Sequence, residues 1–244
     1  MFNKKILYNT TSDFYKKQLK MLLILACIFW LPFDYTNLDL ALRKAFFDAS
    51  TNSWPYYDTF FTKKIGYDWI KFLLIAYGLT LIFLLAYSYK NHYWQKRRNL
   101  IIFLLACLII IPSEIGLLKS VALKPRPEQI VEFGGTMPHV KLYQFLPSEP
   151  TARNWPGGHA SGGAALMGFY FIWSYKSLNW QRLGLFLGVF TSQFMGFIQV
   201  MRGQHFFSHN LWTLWFAWLT ILLPHFFIFR PIKNPPISNL DNNN

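Results

Sequence analysis

Six long runs of apolar residues divide the chain, and polar or basic stretches separate them. A helix needs about 20 mainly apolar residues to cross the hydrocarbon core of a bilayer, and the runs come close to that length. We therefore predict an all-α integral membrane protein built as a six-transmembrane-helix bundle. The fourth run is short and rich in small residues, which favours close helix packing over lipid contact. The runs cover about residues 19–34, 68–88, 99–118, 159–175, 183–202 and 210–229.

Composition supports a membrane protein. Apolar residues make up 53% of the chain and charged residues only 14%, whereas a soluble domain has about 25% charged residues. Such high hydrophobicity excludes an intrinsically disordered chain. The two cysteines, Cys27 and Cys107, both lie inside apolar runs, which excludes a disulfide scaffold and a cysteine-based zinc site.

The net charge of +13 is unevenly distributed between the two faces of the predicted bundle. Thirteen of the 24 basic residues, but only two of the 11 acidic ones, lie on the side that carries both termini. Because basic loops stay in the cytoplasm, we predict cytoplasmic termini and no nucleic-acid partner. The predicted organisation is a cytoplasmic arm at 1–18, a six-helix domain at 19–229 with outward loops 35–67 and 120–158, and a cytoplasmic tail at 230–244.

The two outward loops differ in pattern. In the first loop, apolar residues recur every three or four positions, which predicts an amphipathic helix on the outer surface. The second loop is long and rich in proline and glycine, which is typical of a functional or a disordered segment. The apolar positions of the predicted helix are Leu38, Leu42, Ala45 and Phe46.

Three polar clusters flank the spans, at residues 119–127, 154–161 and 202–209, and the charge-derived topology brings all of them to the outward face. Each cluster alone has a plainer interpretation, as headgroup-facing cations, an interfacial turn or a solvated helix end. Their agreement on one face, however, favours an outward-facing active site.

The residue types in these clusters suit phosphoryl chemistry. Lys119 and Arg126 offer positive charge for phosphate oxygens. Gly157 and Gly158 permit a tight turn that aims backbone N–H groups at an anion, at the start of a helix. His159 and His205 offer an acid and a nucleophile near neutral pH. Phosphoryl transfer needs such a set of clamps, proton donor and in-line nucleophile.

With these residues in this order, the sequence resembles the type-2 phosphatidic acid phosphatase superfamily of integral-membrane lipid phosphate phosphatases. Residues 119–127 match the family's Lys-x6-Arg-Pro motif. Residues 156–159 match its Pro-Ser-Gly-His motif except that Gly157 replaces the serine. The resemblance implies six transmembrane helices with the motifs on the non-cytoplasmic side.

The third family motif, Ser-Arg-x5-His-x3-Asp, matches in part. With His205 at the histidine, His209 stands where the family has aspartate and Gln199 where it has arginine. Arg202 follows Gln199 by about one helical turn and so lies on nearly the same helix face. We therefore expect Arg202 to supply the charge that Gln199 lacks.

The resemblance also implies a mechanism and a role for each residue. His205 would attack phosphorus and form a phosphohistidine, His159 would protonate the leaving alkoxide, and water would then hydrolyse the intermediate. His209, four residues after His205, would orient it by a hydrogen bond. No cofactor and no metal is implied. The residues implied in phosphate binding are Lys119, Arg126, Gly157, Gly158 and Arg202.

The leading interpretation is a phosphatase for a membrane lipid phosphate or pyrophosphate, with the lipid bilayer as its surroundings. The residue usage indicates a bacterium, so we expect a multi-pass protein of the inner membrane whose active site faces the periplasm. A lipid-to-lipid phosphotransferase would use the same phosphohistidine. A non-catalytic lipid-binding membrane protein remains the alternative from another class. Vanadium haloperoxidases share the motifs but are soluble, and a transporter would show repeated halves.

Overall fold

The computed structural model describes residues 12–229 apart from 145, 147, 148, 150 and 175. Within these residues the regular secondary structure is helical, and strand-type pairing is limited to isolated β-bridges. The all-α prediction is therefore confirmed. The predicted arm 1–18 is described from residue 12 onward, and the predicted tail 230–244 lies outside the described residues.

Five long helices and several short ones follow one another along the described chain. A π-helical segment, Phe60–Trp69, runs directly into α3, and a 3-10 turn, Leu166–Gly168, joins α6 to α7. Two further 3-10 turns, Pro127–Gln129 and Val131–Phe133, form in the loop between α5 and α6, which is the second of the loops predicted to face outward. The α-helices are α1 (Ser12–Tyr35), α2 (Leu38–Lys44), α3 (Ile70–Tyr87), α4 (His92–Gln95), α5 (Arg98–Ala122), α6 (Gly158–Ala165), α7 (Phe169–Trp173), α8 (Leu178–Met201) and α9 (Phe207–Phe229).

Five helices of the described chain are long and apolar enough to cross a membrane. They correspond to five of the six predicted spans, and the count of six is not confirmed. In place of the fourth span, α6, its 3-10 turn and α7 form a broken segment over residues 158–173. At about 1.5 Å per residue, this segment is shorter than the roughly 30 Å hydrocarbon core. The five candidate spans are Asp13–Tyr35, Phe60–Tyr87, Arg98–Ala122, Leu178–Met201 and Phe207–Ile228.

The broken segment lies at the centre of the bundle, where α6 packs against α5, α8 and α9. Glycines allow this packing, because a side chain at Gly163 would meet the backbone of Ser192 and one at Gly188 would meet the backbone of Met167. Small residues let helix backbones approach closely in a membrane, where no hydrophobic effect drives helices together. The close helix packing predicted from the small residues of the fourth run is therefore observed.

Helix α2 forms where an amphipathic helix is predicted, but its buried face is the polar one. Asp39 and Arg43 are buried, whereas Leu38 and Leu42 are exposed. The Asp39 carboxylate accepts hydrogen bonds from the backbone N–H and the hydroxyl of Ser208, at the start of α9. This long-range contact caps α9 and sets the orientation of α2, in which Leu38 and Leu42 stay exposed.

Candidate active site

Three segments meet at one end of the bundle. They are the end of α5, the start of α6 and the turn between α8 and α9. The structure brings the two sequence-predicted histidines into contact there, with His159 Nδ1 3.4 Å from His205 Nε2 and the ring centroids 5.6 Å apart. The basic loop between α3 and α5 lies at the other end of α5, a helix of 25 residues, or about 37 Å.

Lys119 packs closely against Gly158 at the start of α6. A Cβ at Gly158 would lie 3.2 Å from Lys119 Nζ. Both residues line one cavity with His159. The free backbone N–H groups at the start of a helix and a nearby ammonium together favour a negatively charged ligand.

Arg126 lies four residues beyond the end of α5 and is exposed to solvent. Its Nη1 donates to Glu128 Oε1 at 3.3 Å and to Gln204 Oε1 at 3.1 Å, and Gln204 Nε2 donates to Glu128 Oε2 at 2.8 Å. Gln204 therefore ties the second outward loop to the turn that carries His205. Asn154 strengthens this tie, because its Nδ2 donates to the Gln204 backbone oxygen at 2.6 Å.

His205 lies in the tight turn between α8 and α9. The backbone oxygen of Gln199 accepts from the N–H of Gln204 at 2.9 Å and of His205 at 3.2 Å. Gly203 has a φ of +77°, and a Cβ there would collide with the Trp54 ring, so the turn requires glycine. Burial, and then the positive charge of Lys119, lowers the pKa of His205 well below its ordinary value. Its ring is therefore neutral at pH 7, as a nucleophile must be.

His209 is buried beside His205, but the hydrogen bond predicted from their spacing is not formed. Their ring centroids are 6.0 Å apart, and the Nδ1 atom of each ring has no partner among the described residues. The spacing prediction assumed that both residues lie on one helix. Because α9 begins at Phe207, His205 precedes the helix and its ring is not stacked over that of His209.

The packing around residue 157 explains why this position is a glycine and not the serine of the family motif, which the sequence pattern did not reveal. Its backbone N–H donates to the His209 oxygen at 3.0 Å, and its oxygen accepts from the Thr213 hydroxyl at 3.0 Å. A Cβ at Gly157 would lie 2.5 Å from Asn210 Oδ1. The Asn210 amide is fully buried and has no hydrogen-bond partner among the described residues. This amide occupies the space next to the residue-157 position, so a serine does not fit there without movement.

Gln199 stands at the position of the family arginine, and Arg202 is expected to supply its charge. The two residues differ in burial and in contacts. The Gln199 amide is buried, and its two polar atoms have no partner among the described residues. Arg202 Nε donates to the Tyr57 backbone oxygen at 2.7 Å, and its guanidinium lies 5.6 Å from the Tyr67 ring centroid. The Tyr67 ring is in turn 5.0 Å from the His159 ring. Arg202 therefore lies one aromatic ring away from the histidine pair, held by the segment before α3.

A cavity of about 550 Å³ opens beside Lys119 and His159, between α3, α5 and the start of α6. Its polar mouth also includes Tyr67 and Lys71, and the rest of its wall is apolar. Several side chains that α3 contributes to that wall are more than half exposed. The apolar wall includes Leu74, Ile75, Leu79, Ile82, Leu108 and Pro112.

Four residues at the site were not singled out by sequence reasoning. Two of them stand out in the sequence in some way, and two do not. Lys71 is a charged residue inside an apolar run, and Gln204 lies within the third polar cluster. Tyr67 and Asn210 left no signal, because an aromatic residue and an amide near span ends are common. No group of three or more His, Cys, Asp or Glu residues able to hold a metal ion occurs in the part of the chain that the structure describes.

Comparison with known proteins gives one match. Residues 99–232 match the family model described as the PAP2 superfamily. The match begins at α5 and extends beyond α9, so it includes the three segments that form the site. No curated protein and no solved structure matches the chain.

Proposed function

The chain belongs to the PAP2 superfamily, and from this membership we propose that it is a membrane phosphatase that hydrolyses a lipid phosphate through a phosphohistidine intermediate. The family match supports an activity of the phosphatase or phosphotransferase type on lipid phosphates, since members are generally phosphatases. The finer statements, which concern the intermediate, the side of the membrane and the roles of residues, are our proposal.

The observation that carries the proposal is the position of the histidine pair at the head of the apolar cavity. His159 and Lys119 line its mouth, and His205 contacts His159. A phosphate group bound at the mouth can extend an attached hydrocarbon chain along the wall between α3 and α5. An amphiphile with one charged end and one apolar tail fits this arrangement, and a soluble phosphate ester would leave the apolar wall unused.

The proposed reaction has two steps. Lys119, Arg126 and the Gly158 N–H bind the phosphoryl oxygens, and Arg202 adds positive charge behind Tyr67. His205 Nε2 attacks phosphorus, and the bond from phosphorus to the lipid oxygen breaks while His159 protonates that oxygen. Water then attacks the phosphohistidine while His159 takes up its proton, and the bond from phosphorus to His205 Nε2 breaks. This step releases inorganic phosphate and restores both histidines.

Substrate must separate the two histidine rings before this reaction. An attacking atom lies about 3 Å from phosphorus and a general acid about 3 Å from the oxygen that it protonates. Because the phosphorus–oxygen bond separates these two contacts, the two nitrogens need more than about 6 Å between them. They are 3.4 Å apart. We propose that the entering phosphoryl group breaks this contact and pushes the His159 ring toward Tyr67.

We further propose that the protein is a multi-pass protein of a bacterial inner membrane, with this site facing the periplasm. The distribution of basic residues supports this orientation. His209 is proposed as a positioning residue for His205, acting through packing or a bridging water, since both Nδ1 atoms are buried and without a partner among the described residues.

Phosphate release by purified protein in detergent tests the proposal, with a panel of lipid monophosphates and diphosphates as substrates. We expect release with at least one lipid and loss of release in His205→Ala. The matched control is His92→Ala, which removes an exposed ring in α4. Transfer of labelled phosphate to a second lipid would instead indicate a phosphotransferase, and no turnover of any lipid would contradict the proposal.

A further inference from the structure

Lys71 lies at the boundary between the two parts of the cavity wall. Tyr67, four residues earlier, belongs to the polar mouth, and Leu74 and Ile75, three and four residues later, begin the apolar wall. Residues at this spacing lie on one helix face. A lipid that extends from the histidine pair along α3 therefore passes Lys71 immediately before its hydrocarbon chain begins.

The charge of Lys71 has no counter-ion in the described part of the chain. Its neighbours do: Lys63 pairs with Asp58 at 2.6 Å and Lys64 with Asp68 at 3.2 Å. The contact found for the Lys71 ammonium is with the Tyr67 ring, 5.7 Å from its centroid. Lys71 is exposed and lies within the candidate span Phe60–Tyr87, where a charge without a partner is costly. An anionic group of the ligand is the partner that this position lacks.

Lys71 lies on the His159 side of the histidine pair. The Tyr67 ring contacts both the Lys71 ammonium and the His159 ring, whereas His205 lies beyond His159. In the proposed reaction His159 faces the oxygen of the leaving group, so Lys71 lies beside the leaving group and not beside the phosphoryl group that is transferred.

We propose that Lys71 binds the second phosphate of a lipid diphosphate, and that its charge favours lipid diphosphates over lipid monophosphates with the same hydrocarbon chain. This inference rests on the proposed function. The terminal phosphorus forms a bond to His205 Nε2, and its bond to the bridging oxygen breaks. The electron pair stays on the bridging oxygen, which becomes a terminal oxygen of the lipid monophosphate. Water hydrolyses the phosphohistidine to inorganic phosphate.

The leaving group explains why a cation is useful at this position. A lipid diphosphate leaves as a phosphate, which carries negative charge that the Lys71 ammonium neutralises. A lipid monophosphate leaves as an alkoxide that takes its proton from His159, and no second anion then faces Lys71. Removing the charge of Lys71 should therefore slow hydrolysis of the diphosphate much more than hydrolysis of the monophosphate.

Farnesyl monophosphate and farnesyl diphosphate provide the test, because they share one hydrocarbon chain. We expect Lys71→Met in the full-length protein to lower kcat/KM for the diphosphate at least tenfold and for the monophosphate by less than twofold. Lys71→Arg keeps the charge and should stay within about threefold of the parent for both. Lys64→Met removes a neighbouring lysine outside the cavity and should leave both values unchanged.

The possible outcomes separate the two proposals. An equal loss for both substrates, or no loss for the diphosphate, overturns the role of Lys71 while the phosphatase activity of the parent protein stands. If the parent protein hydrolyses neither substrate nor any other lipid phosphate, both proposals fail. Lys71→Gln repeats the measurement with a polar side chain, so that a folding defect specific to methionine does not decide the result.

Discussion

The residues around His205 form two groups that differ in charge and in accessibility. The first group, called here the open side of the site, consists of two cations: Lys119 lines the cavity and Arg126 is exposed to solvent. The second group, called the buried side, consists of Gln199, His209 and Asn210, which are buried, formally neutral and have polar atoms without a partner among the described residues. The cations that match the family motif are thus accessible, and the departures at Gln199 and His209 lie in the packed interior.

This difference follows from the cost of burying charge. An arginine on the buried side would need a paired anion or would carry a large desolvation penalty, whereas the Gln199 amide carries no charge. The Gly157 departure has a steric cause, because the Asn210 amide fills the adjacent space. We infer that the open side binds the charge of the substrate and that the buried side holds the shape of the His205 turn.

Removing a cation from the open side should have the largest effect. We expect Lys119→Met to lower kcat/KM about 100- to 1,000-fold, as does the loss of one group that stabilises developing charge. Gln199→Leu, on the buried side, should cost less than tenfold. Kinetics on both variants, after gel filtration to check that they are folded, measures the contrast. A larger loss in Gln199→Leu would break the comparison.

Restoring the family serine should harm the protein. Gly157→Ser places a side chain against the Asn210 amide, and overpacking of this kind costs about 1–3 kcal/mol of stability. We expect a lower thermal unfolding temperature in detergent, and partial recovery in the double variant Gly157→Ser, Asn210→Ala. A Gly157→Ser variant as stable as the parent would show that the amide moves aside freely.

Substitutions of His209 should lower the rate of phosphate release less than the substitution of Lys119 does. We expect His209→Ala to retain measurable phosphate release, because its ring contributes position and makes no bond to the phosphoryl group. His209→Asp should match or exceed the parent, since a carboxylate stabilises the imidazolium better than a neutral ring does. Loss of all activity in His209→Ala together with normal activity in His205→Ala would make His209 the attacking residue.

The smallest expected signal is the titration of His205 itself. Burial lowers its pKa, so protonation, which blocks its lone pair, should begin only well below the ordinary histidine value of about 6.5. Ring nitrogen shifts in an NMR titration, assigned with His205→Gln, should report a neutral ring from pH 8 down to pH 6.5. A ring already half protonated at pH 6.5 would contradict the buried setting.

Much of the fold was predictable from local patterns. Five of the spans are continuous apolar runs, and such runs are visible without tertiary information. The orientation of α2 was not predictable, because Asp39 is held by Ser208, 169 positions later. A local hydrophobic pattern contains no information about such a contact, so it predicted an amphipathic helix without indicating which of its faces is buried.

The site was predictable to a similar extent. Lys119, His159 and His205 stand in recognisable motifs at span ends, and the two histidines meet in the structure. The predicted hydrogen bond between His205 and His209 was wrong. Residues four positions apart lie on one face only when both belong to the same helix. Lys71 was missed because a lysine near a span end is commonly a snorkelling residue, and only the cavity shows what lies beside it.

The central claim is that His205 Nε2 forms the covalent intermediate. The most direct test is to mix the full-length protein with a lipid phosphate labelled at the transferred phosphorus, to quench in alkali, and to locate the label by mass spectrometry of the peptides. We predict phosphate on His205, and none on any residue of His205→Ala. Label on His159 or His209, or rapid phosphate release with no labelled histidine in the parent protein, would contradict the account.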